Sequence, residues 1–205
     1  MHIQNYWTNK GHQYGLCYVN PTSSLKYVNI PKCASTWTRQ VFESLGWHMD
    51  IYRDHQSIRD LDSIVVLRDP VDRWLSGVCE YFTLYHPDID TRQFNTAFFE
   101  LLTDRVAFDD HTDKQVYFID DLDLGKCKFF MCDGGYRDKF SAYMTSLGVS
   151  NTYNQIDYKH TTSASPLRAK FKKIFEPVLH DSKYMNRIKA YYAEDYELIE
   201  KYGTR

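Results

Sequence analysis

Two short stretches of the sequence carry side chains that suit an anion, and the first is PKCAST, residues 31–36. Lys32 supplies a compact positive charge, while Ser35 and Thr36 supply hydroxyl donors. The small side chains of Cys33 and Ala34 let the backbone approach an anion closely, and we expect them to do so without a positive φ. The stretch therefore predicts an anion-binding loop. The alternative is a plain helix cap by Ser35 or Thr36 beside a surface lysine.

The second stretch is LRDPVDRWLSG, residues 67–77. The planar guanidinium of Arg68 can bind a phosphate through two parallel hydrogen bonds. Ser76 lies two helical turns beyond Asp69, roughly 10 Å along a helix, so one phosphate within reach of Arg68 and Ser76 is sterically reasonable. The alternative is an ion pair of Arg68 with Asp72, with Ser76 a small surface residue.

The elements around both stretches predict an α/β fold. Residues 14–19 and 25–30 are β-prone and separated by a polar turn, which indicates a hairpin. A helical apolar pattern follows Pro31 and ends at Gly46, and residues 64–67 form an apolar run typical of a buried parallel strand. Asp69 and Pro70 then favour a helix start. Both loops would lie at the carboxyl edge of a parallel sheet, where ligands of such folds bind.

In the rest of the chain, the sequence pattern predicts further helices and strands. We expect a single domain over residues 1–205. The predicted helices are 91–102, 138–147 and 183–202, and the predicted strands are 116–119 and 128–131. Repeats, low-complexity tracts and linkers are absent from the sequence.

Composition excludes several function classes. The chain has 205 residues, 43% of them hydrophobic, and a net charge of -2, so it has no global basic field for nucleic acid. Its five cysteines are odd in number and lack zinc-site spacing, which favours reduced thiols of a cytosolic protein. The N-terminus lacks a signal-peptide pattern, and no run approaches the ~20 apolar residues of a membrane span. We therefore expect a cytoplasmic location.

Together the two stretches resemble the sulfotransferase family that uses 3′-phosphoadenosine 5′-phosphosulfate (PAPS). IPKCASTW is similar to its 5′-phosphosulfate loop, of the form PKxxSTxW or PKTASTS, and LRDPVDRWLSGVCEYF is similar to its 3′-phosphate motif, RDPxxRxxSxxxxF. HTDKQVYF, from His111, resembles the HxxPQ segment of the carbohydrate branch, with Lys114 in place of the proline. The resemblance implies the P-loop NTPase-like sulfotransferase fold, a three-layer α/β/α arrangement around a central parallel sheet.

The resemblance also implies roles for the site residues. Lys32 would neutralise charge on the bridging oxygen, and Arg68 and Ser76 would bind the 3′-phosphate. The 5′-phosphate and sulfonate would be held by backbone groups of Cys33, Ala34 and Ser35 and by the Thr36 hydroxyl. Trp37 would stack near the adenine or, alternatively, be the first core residue of its helix. The implied reaction needs no metal.

The base and the acceptor are less closely defined by the sequence. His55 is the preferred general base because histidine has the unperturbed pKa nearest neutrality. His48 is the reserve, and Glu43 and Asp54 are further candidates. The expected acceptor is a saccharide hydroxyl, and the sequence leaves the oligomeric state open. The patch comprising Lys159, His160, Arg168, Lys170, Lys172 and Lys173 could attract an anionic saccharide, cover the PAPS phosphates, or be a solvated face.

Two other functions fit the same fold. A P-loop kinase acting on a nucleotide or small molecule would need ATP and Mg²⁺, but the chain lacks the GxxxxGK[ST] loop. A non-catalytic module that binds a phosphorylated ligand is the other alternative, and it is favoured if neither His55 nor His48 points into the site.

Overall fold

The computed structural model describes residues 14–149 and 165–203. Its strands are β1 (Leu16–Val19), β2 (Leu25–Val28), β3 (His48–Ile51), β4 (Asp62–Leu67) and β5 (Cys127–Met131). Its α-helices are α1 (Ser35–Ser44), α2 (Gln56–Arg59), α3 (Pro70–Tyr85), α4 (Thr96–Arg105), α5 (Tyr136–Ser146), α6 (Pro166–Phe175), α7 (Ser182–Tyr191) and α8 (Ala193–Tyr202).

The five strands form one open sheet in the order β3-β1-β2-β4-β5. The pairs β2–β4 and β4–β5 are parallel, whereas β1 is antiparallel to both of its neighbours. The sheet is therefore mixed, and β1 alone runs against the other strands. This confirms the α/β class. The strands β2, β4 and β5 are parallel as expected, and the predicted hairpin of β1 and β2 adds the antiparallel strand that makes the sheet mixed.

The chain divides into two compact units. The sheet unit comprises residues 14–69, 115–149 and 197–203, and the helical unit comprises residues 70–114 and 165–196. The single domain expected over residues 1–205 stays a prediction.

Helices cover both faces of the sheet within the sheet unit. On one face, Phe42 of α1 stacks on Tyr27 of β2 at 5.0 Å between ring centroids, and Phe140 of α5 meets Phe42 at 5.7 Å. On the other face, Tyr202 in the last turn of α8 stacks on Phe129 of β5 at 4.8 Å. Because both faces are buried, residues 64–67 of β4 form a continuous apolar run.

The helical unit is built around a cluster of aromatic rings. Phe82 of α3 lies 5.1 Å from Phe175 and 5.8 Å from Phe171 of α6, measured between centroids. Phe94 and Phe98 pack against the same ring of Phe82. Helices α3 and α6 thus bury their apolar stripes against each other.

Most predicted elements are confirmed, and three of the helix and strand predictions are wrong in detail. Residues 115–118 form a 3-10 turn where a strand was expected over 116–119. The helix expected over 91–102 is a 3-10 turn at Thr91–Gln93 followed by α4, which Asn95 caps through a hydrogen bond from Phe98 N. The single last helix is broken at Tyr192 into α7 and α8. Tyr192 is fully buried, and its hydroxyl donates to the carbonyl of Thr112, which fixes the break.

None of the five cysteines, all of which lie in the described ranges, forms a disulfide. Within residues 14–149 and 165–203, no helix has the length and apolar character needed to cross a bilayer.

Candidate anion-binding site

The loop between β2 and α1 holds two residues in the left-handed region. Lys32 has a φ of 68° and Ala34 a φ of 55°. The left-handed region costs an L-residue roughly 1–2 kcal/mol, and such strain is concentrated at binding and active sites. The expectation that this loop avoids positive φ is therefore wrong. The loop takes the conformation that glycine usually supplies, and it does so with lysine and alanine.

Helix α1 begins without a side-chain cap. Its N-cap is Ala34, no side chain bonds to the first turn, and the first helical hydrogen bond runs from Thr38 N to Ala34 O at 3.1 Å. The backbone N–H groups of Ser35, Thr36 and Trp37 therefore have no partner within the helix. These N–H groups and the positive end of the helix dipole favour an anion. The alternative of a plain cap by Ser35 or Thr36 is wrong.

Cys33 differs from its predicted role. Its N–H donates to the carbonyl of Ile30 at 3.3 Å, so this donor is used within the loop. Its side chain is fully buried, and its thiol contacts Gln115. Cys33 therefore supports the loop from its buried side, and Ala34, Ser35 and Thr36 form the part of the loop that faces a ligand.

Arg68, at the end of β4, lies beside this loop in the sheet unit. Its Nη1 donates to the carbonyl oxygen of Lys32 at 3.1 Å. Because β2 and β4 are adjacent and parallel, their ends place the two predicted cationic residues at one edge of the sheet. Within the described ranges, neither the Nε nor the Nη2 of Arg68 has a hydrogen-bond partner, so both keep donor capacity for an anion.

Gln115 joins the two loops, a role that its residue type and position did not predict. Its Oε1 accepts from Arg68 N at 2.9 Å and from Cys33 Sγ at 3.2 Å, and its Nε2 donates to Arg68 O at 2.9 Å. It is fully buried. The only sequence signal was its place in the segment that begins at His111.

Trp37 is a core residue of the sheet unit. It is 4% exposed, and its ring meets those of Tyr136 at 5.7 Å and Phe140 at 5.6 Å, edge to face. Of the two roles that the sequence left open, the structure favours the first core residue of α1 over an adenine platform.

Ser76 belongs to the helical unit. Its hydroxyl accepts a hydrogen bond from Arg168 Nη2 at 2.7 Å, and Arg168 Nη1 lies 2.9 Å from a carboxylate oxygen of Glu80. Arg168 therefore does not belong to a solvated face, whereas Lys170, Lys172 and Lys173 are exposed. Lys159 and His160, the other members of the predicted basic patch, lie outside the described residues. The part of Ser76 in a 3′-phosphate site stays a prediction.

The candidate bases of the sheet unit are spread around its sheet. His55 lies beyond the end of β3, on the same edge as the loop but two strands away, about 10 Å across the sheet. Its side chain is 59% exposed, and its Nε2 lies 3.9 Å from Asp50 Oδ1. His48 begins β3 and thus lies at the opposite edge, which rules it out as the reserve base. Glu43 accepts a hydrogen bond from Tyr18, and Asp54 is exposed.

A group with metal-ligand chemistry lies in the helical unit. Ligand atoms of Asp109, Asp110 and His111 lie within 4.8 Å of one another. Burial alone would lower the pKa of His111, but hydrogen bonds and ion pairs with Asp109 and Asp110 outweigh it and raise that pKa to about 9. The resulting imidazolium sits 2.9 Å and 3.0 Å from the two carboxylates. One cationic ring thus lies between two carboxylates, so these ligand atoms already contact one another.

Comparison with known protein families, with curated proteins and with solved structures finds no match. The resemblance to a family consequently stays a prediction from the residues of the two stretches.

Proposed function

We propose that this chain is a PAPS-dependent sulfotransferase that moves the sulfuryl group to an acceptor hydroxyl of the carbohydrate class. The observation that carries the proposal is the approach of Arg68 to the Lys32 loop within the sheet unit, where Arg68 Nη1 donates to the carbonyl of Lys32 at 3.1 Å. Two cationic side chains and an uncapped helix N-terminus at one sheet edge suit a ligand with two anionic groups. PAPS meets that requirement with its 5′-phosphosulfate and its 3′-phosphate.

In this proposal each group of the loop has a distinct task. The N–H groups of Ser35 and Thr36, at the start of α1, hold the phosphosulfate, and Ala34 lets the backbone approach it. Lys32 stabilises the negative charge that grows on the bridging oxygen as the sulfur–oxygen bond breaks, which is where a fixed positive charge accelerates transfer. Arg68 binds the 3′-phosphate and thereby favours PAPS over nucleotides that lack it. The predicted contribution of Ser76 rests on the sequence motif alone.

Sulfuryl transfer, like phosphoryl transfer, depends on alignment and charge stabilisation more than on covalent chemistry with the protein. The acceptor hydroxyl attacks sulfur, adenosine 3′,5′-bisphosphate leaves, and the hydroxyl proton passes to a base. His55 is the predicted base, and a positioned base contributes about 10²–10⁴-fold.

One observation favours a second function, a non-catalytic module that binds the same ligand. Of the histidines that the structure describes in the sheet unit, His48 lies at the opposite edge, and His55 is mostly exposed. The variants His55→Gln and His48→Gln form a matched pair that separates the two functions. A fall in kcat of about 10²-fold or more for His55→Gln alone supports the enzyme. If the unaltered protein shows no turnover at all, the result supports the non-catalytic module.

Ligand binding is tested first by thermal shift with adenosine 3′,5′-bisphosphate, AMP and ATP with Mg²⁺. A ligand at 100 times its Kd stabilises the folded protein by about 2.7 kcal/mol. We expect the bisphosphate to give the largest shift. Equal shifts with AMP would remove the role of Arg68, and a shift specific to ATP with Mg²⁺ would favour the kinase.

Turnover is then tested by transfer of labelled sulfate from PAPS to a panel of glycans. Lys32→Ala should lower kcat by about 10²-fold or more because it removes charge stabilisation from the transition state. Lys128→Ala is the matched control, since Lys128 is an exposed lysine of the same unit on β5. Equal effects of the two substitutions would refute the role of Lys32.

A further inference from the structure

We infer that Gln115 is a positioning residue that fixes the distance between the Lys32 loop and Arg68. This inference rests on the proposed function, because it concerns recognition of a ligand with two anionic groups. The side-chain amide of Gln115 makes three hydrogen bonds, two to the backbone of Arg68 at 2.9 Å each and one to the Cys33 thiol at 3.2 Å. It therefore joins the end of β4 to the loop that follows β2.

The partners of Gln115 define the direction of every bond. A backbone N–H can only donate and a backbone carbonyl can only accept, so Arg68 fixes which end of the amide is oxygen. Oε1 is an acceptor only, so Cys33 must donate to it as a protonated thiol. A thiolate at Cys33 would break this bond and place a negative charge under a loop proposed to hold an anion.

Burial makes these bonds costly to lose. Gln115 and Cys33 are both 0% exposed, so water cannot replace a missing partner. Side chains other than glutamine fail in specific ways: asparagine is one methylene shorter, methionine has neither a donor nor a strong acceptor, and ionised glutamate cannot donate. The position thus requires an acceptor and a donor at glutamine length.

The consequence for binding follows from the link between Arg68 and Lys32. The amide holds the backbone of Arg68, and the Arg68 guanidinium holds the carbonyl of Lys32 at 3.1 Å. A ligand with one anionic group needs only one of these two cations in place, whereas a bisphosphate needs both at a fixed separation. Loss of Gln115 should accordingly weaken the bisphosphate more than the monophosphate, since small misplacements are expensive at such sites.

The test measures the Kd of adenosine 3′,5′-bisphosphate and of AMP for the full chain, Gln115→Met and Gln115→Glu, by calorimetry. The Kd ratio is the Kd of AMP divided by the Kd of the bisphosphate. We expect this ratio to fall by about 10-fold or more in Gln115→Met, although both cations are still present. A ratio equal to that of the unaltered protein, with only the free energy of unfolding lowered, would show a purely structural role and overturn the inference.

Gln115→Glu adds a second measurement, the pH dependence of the Kd ratio, which would not change if Gln115 were purely structural. A protonated carboxyl presents one acceptor and one O–H donor, the same pattern as the amide, and burial raises the pKa of a carboxyl. We expect the Kd ratio of this variant, relative to the unaltered protein at each pH, to recover between about pH 7 and pH 5. Gln115→Met should show no recovery, and recovery in both variants would contradict the inference.

Cys33→Ala provides an alternative test if the Gln115 variants do not fold. It removes one bond from Oε1, so we expect a smaller fall of the Kd ratio, about 2- to 5-fold for one neutral hydrogen bond. Cys33→Ser retains a donor and should restore the ratio in part; an unchanged ratio in Cys33→Ala would overturn the inference. Failure of the proposed function is distinguishable, because the unaltered protein itself would then not prefer the bisphosphate to AMP, and both proposals would be rejected.

Discussion

Replacing Ala34 with glycine tests the left-handed backbone of the loop directly. Ala34 has φ 55° and ψ 16°, which costs an L-residue roughly 1–2 kcal/mol and glycine nothing. Glycine also increases the entropy of the unfolded chain, which costs about 0.4–1 kcal/mol. The difference predicts that Ala34→Gly changes the free energy of unfolding by about 0 to +1.5 kcal/mol, which is neutral or stabilising.

Ala142→Gly is the matched control, because Ala142 is exposed in the middle of α5 in the same unit. Glycine in a helix interior costs about 0.5–1 kcal/mol relative to alanine. Urea unfolding of both variants, followed by circular dichroism with a common m value, gives the comparison. We expect Ala34→Gly to be the more stable of the two by about 1–2 kcal/mol.

Equal losses of stability in the two variants would refute the reasoning, because Ala34 would then carry no conformational strain. A further consequence concerns binding. Glycine frees the loop to leave its bound conformation, so we expect Ala34→Gly to bind adenosine 3′,5′-bisphosphate more weakly even where it folds more stably.

Three more predictions concern the helical unit and Arg68. A Cβ on Gly77 would clash with the backbone carbonyl oxygen of His111, so Gly77→Ala should lower the free energy of unfolding in urea by at least about 1 kcal/mol. Gly134→Ala, with open space around it, should be neutral in the same urea unfolding. The pKa of His111 is raised from 6.5 to about 9, so its charge contributes stability that is complete below pH 6.5 and is lost as pH rises through 9. The stability advantage over His111→Gln should shrink across that window by up to about 3 kcal/mol, and an equal advantage at pH 6 and pH 10 would contradict this. Arg68→Lys replaces a planar fork by a point charge and should reduce the preference for the bisphosphate over AMP in calorimetry by about 10-fold, while Arg137→Lys should leave it unchanged.

The elements with strong local signals were predictable from the sequence. The hairpin before Pro31, the buried run of β4 and the helix starting at Pro70 all follow from turn residues, periodicity and capping, which act over a few residues. The approach of Arg68 to the Lys32 loop was also predictable, because parallel neighbours bring their carboxyl ends together.

Features set by tertiary contacts were not predictable in this way. Residues 116–119 have the composition of a strand, but their backbone carbonyls accept hydrogen bonds from side chains that are distant in the sequence. Tyr52 donates to the Phe118 carbonyl at 2.6 Å, and Arg53 donates to the Tyr117 carbonyl at 2.5 Å. The left-handed φ of Ala34 was missed because alanine gives no signal for it, unlike glycine. Gln115 was missed because its three bonds join segments far apart in the sequence.

Among residues 14–149 and 165–203, the mixed sheet ends in two edge strands, β3 and β5. An unpaired edge is a template for association with another chain, and native proteins counter it with short strands and charged side chains. Here β3 is 4 residues long and carries Asp50, and β5 carries the exposed Lys128 near its centre. Each edge thus pairs a small number of open backbone groups with a charge that an incoming strand would have to desolvate, which protects the fold against edge-to-edge aggregation.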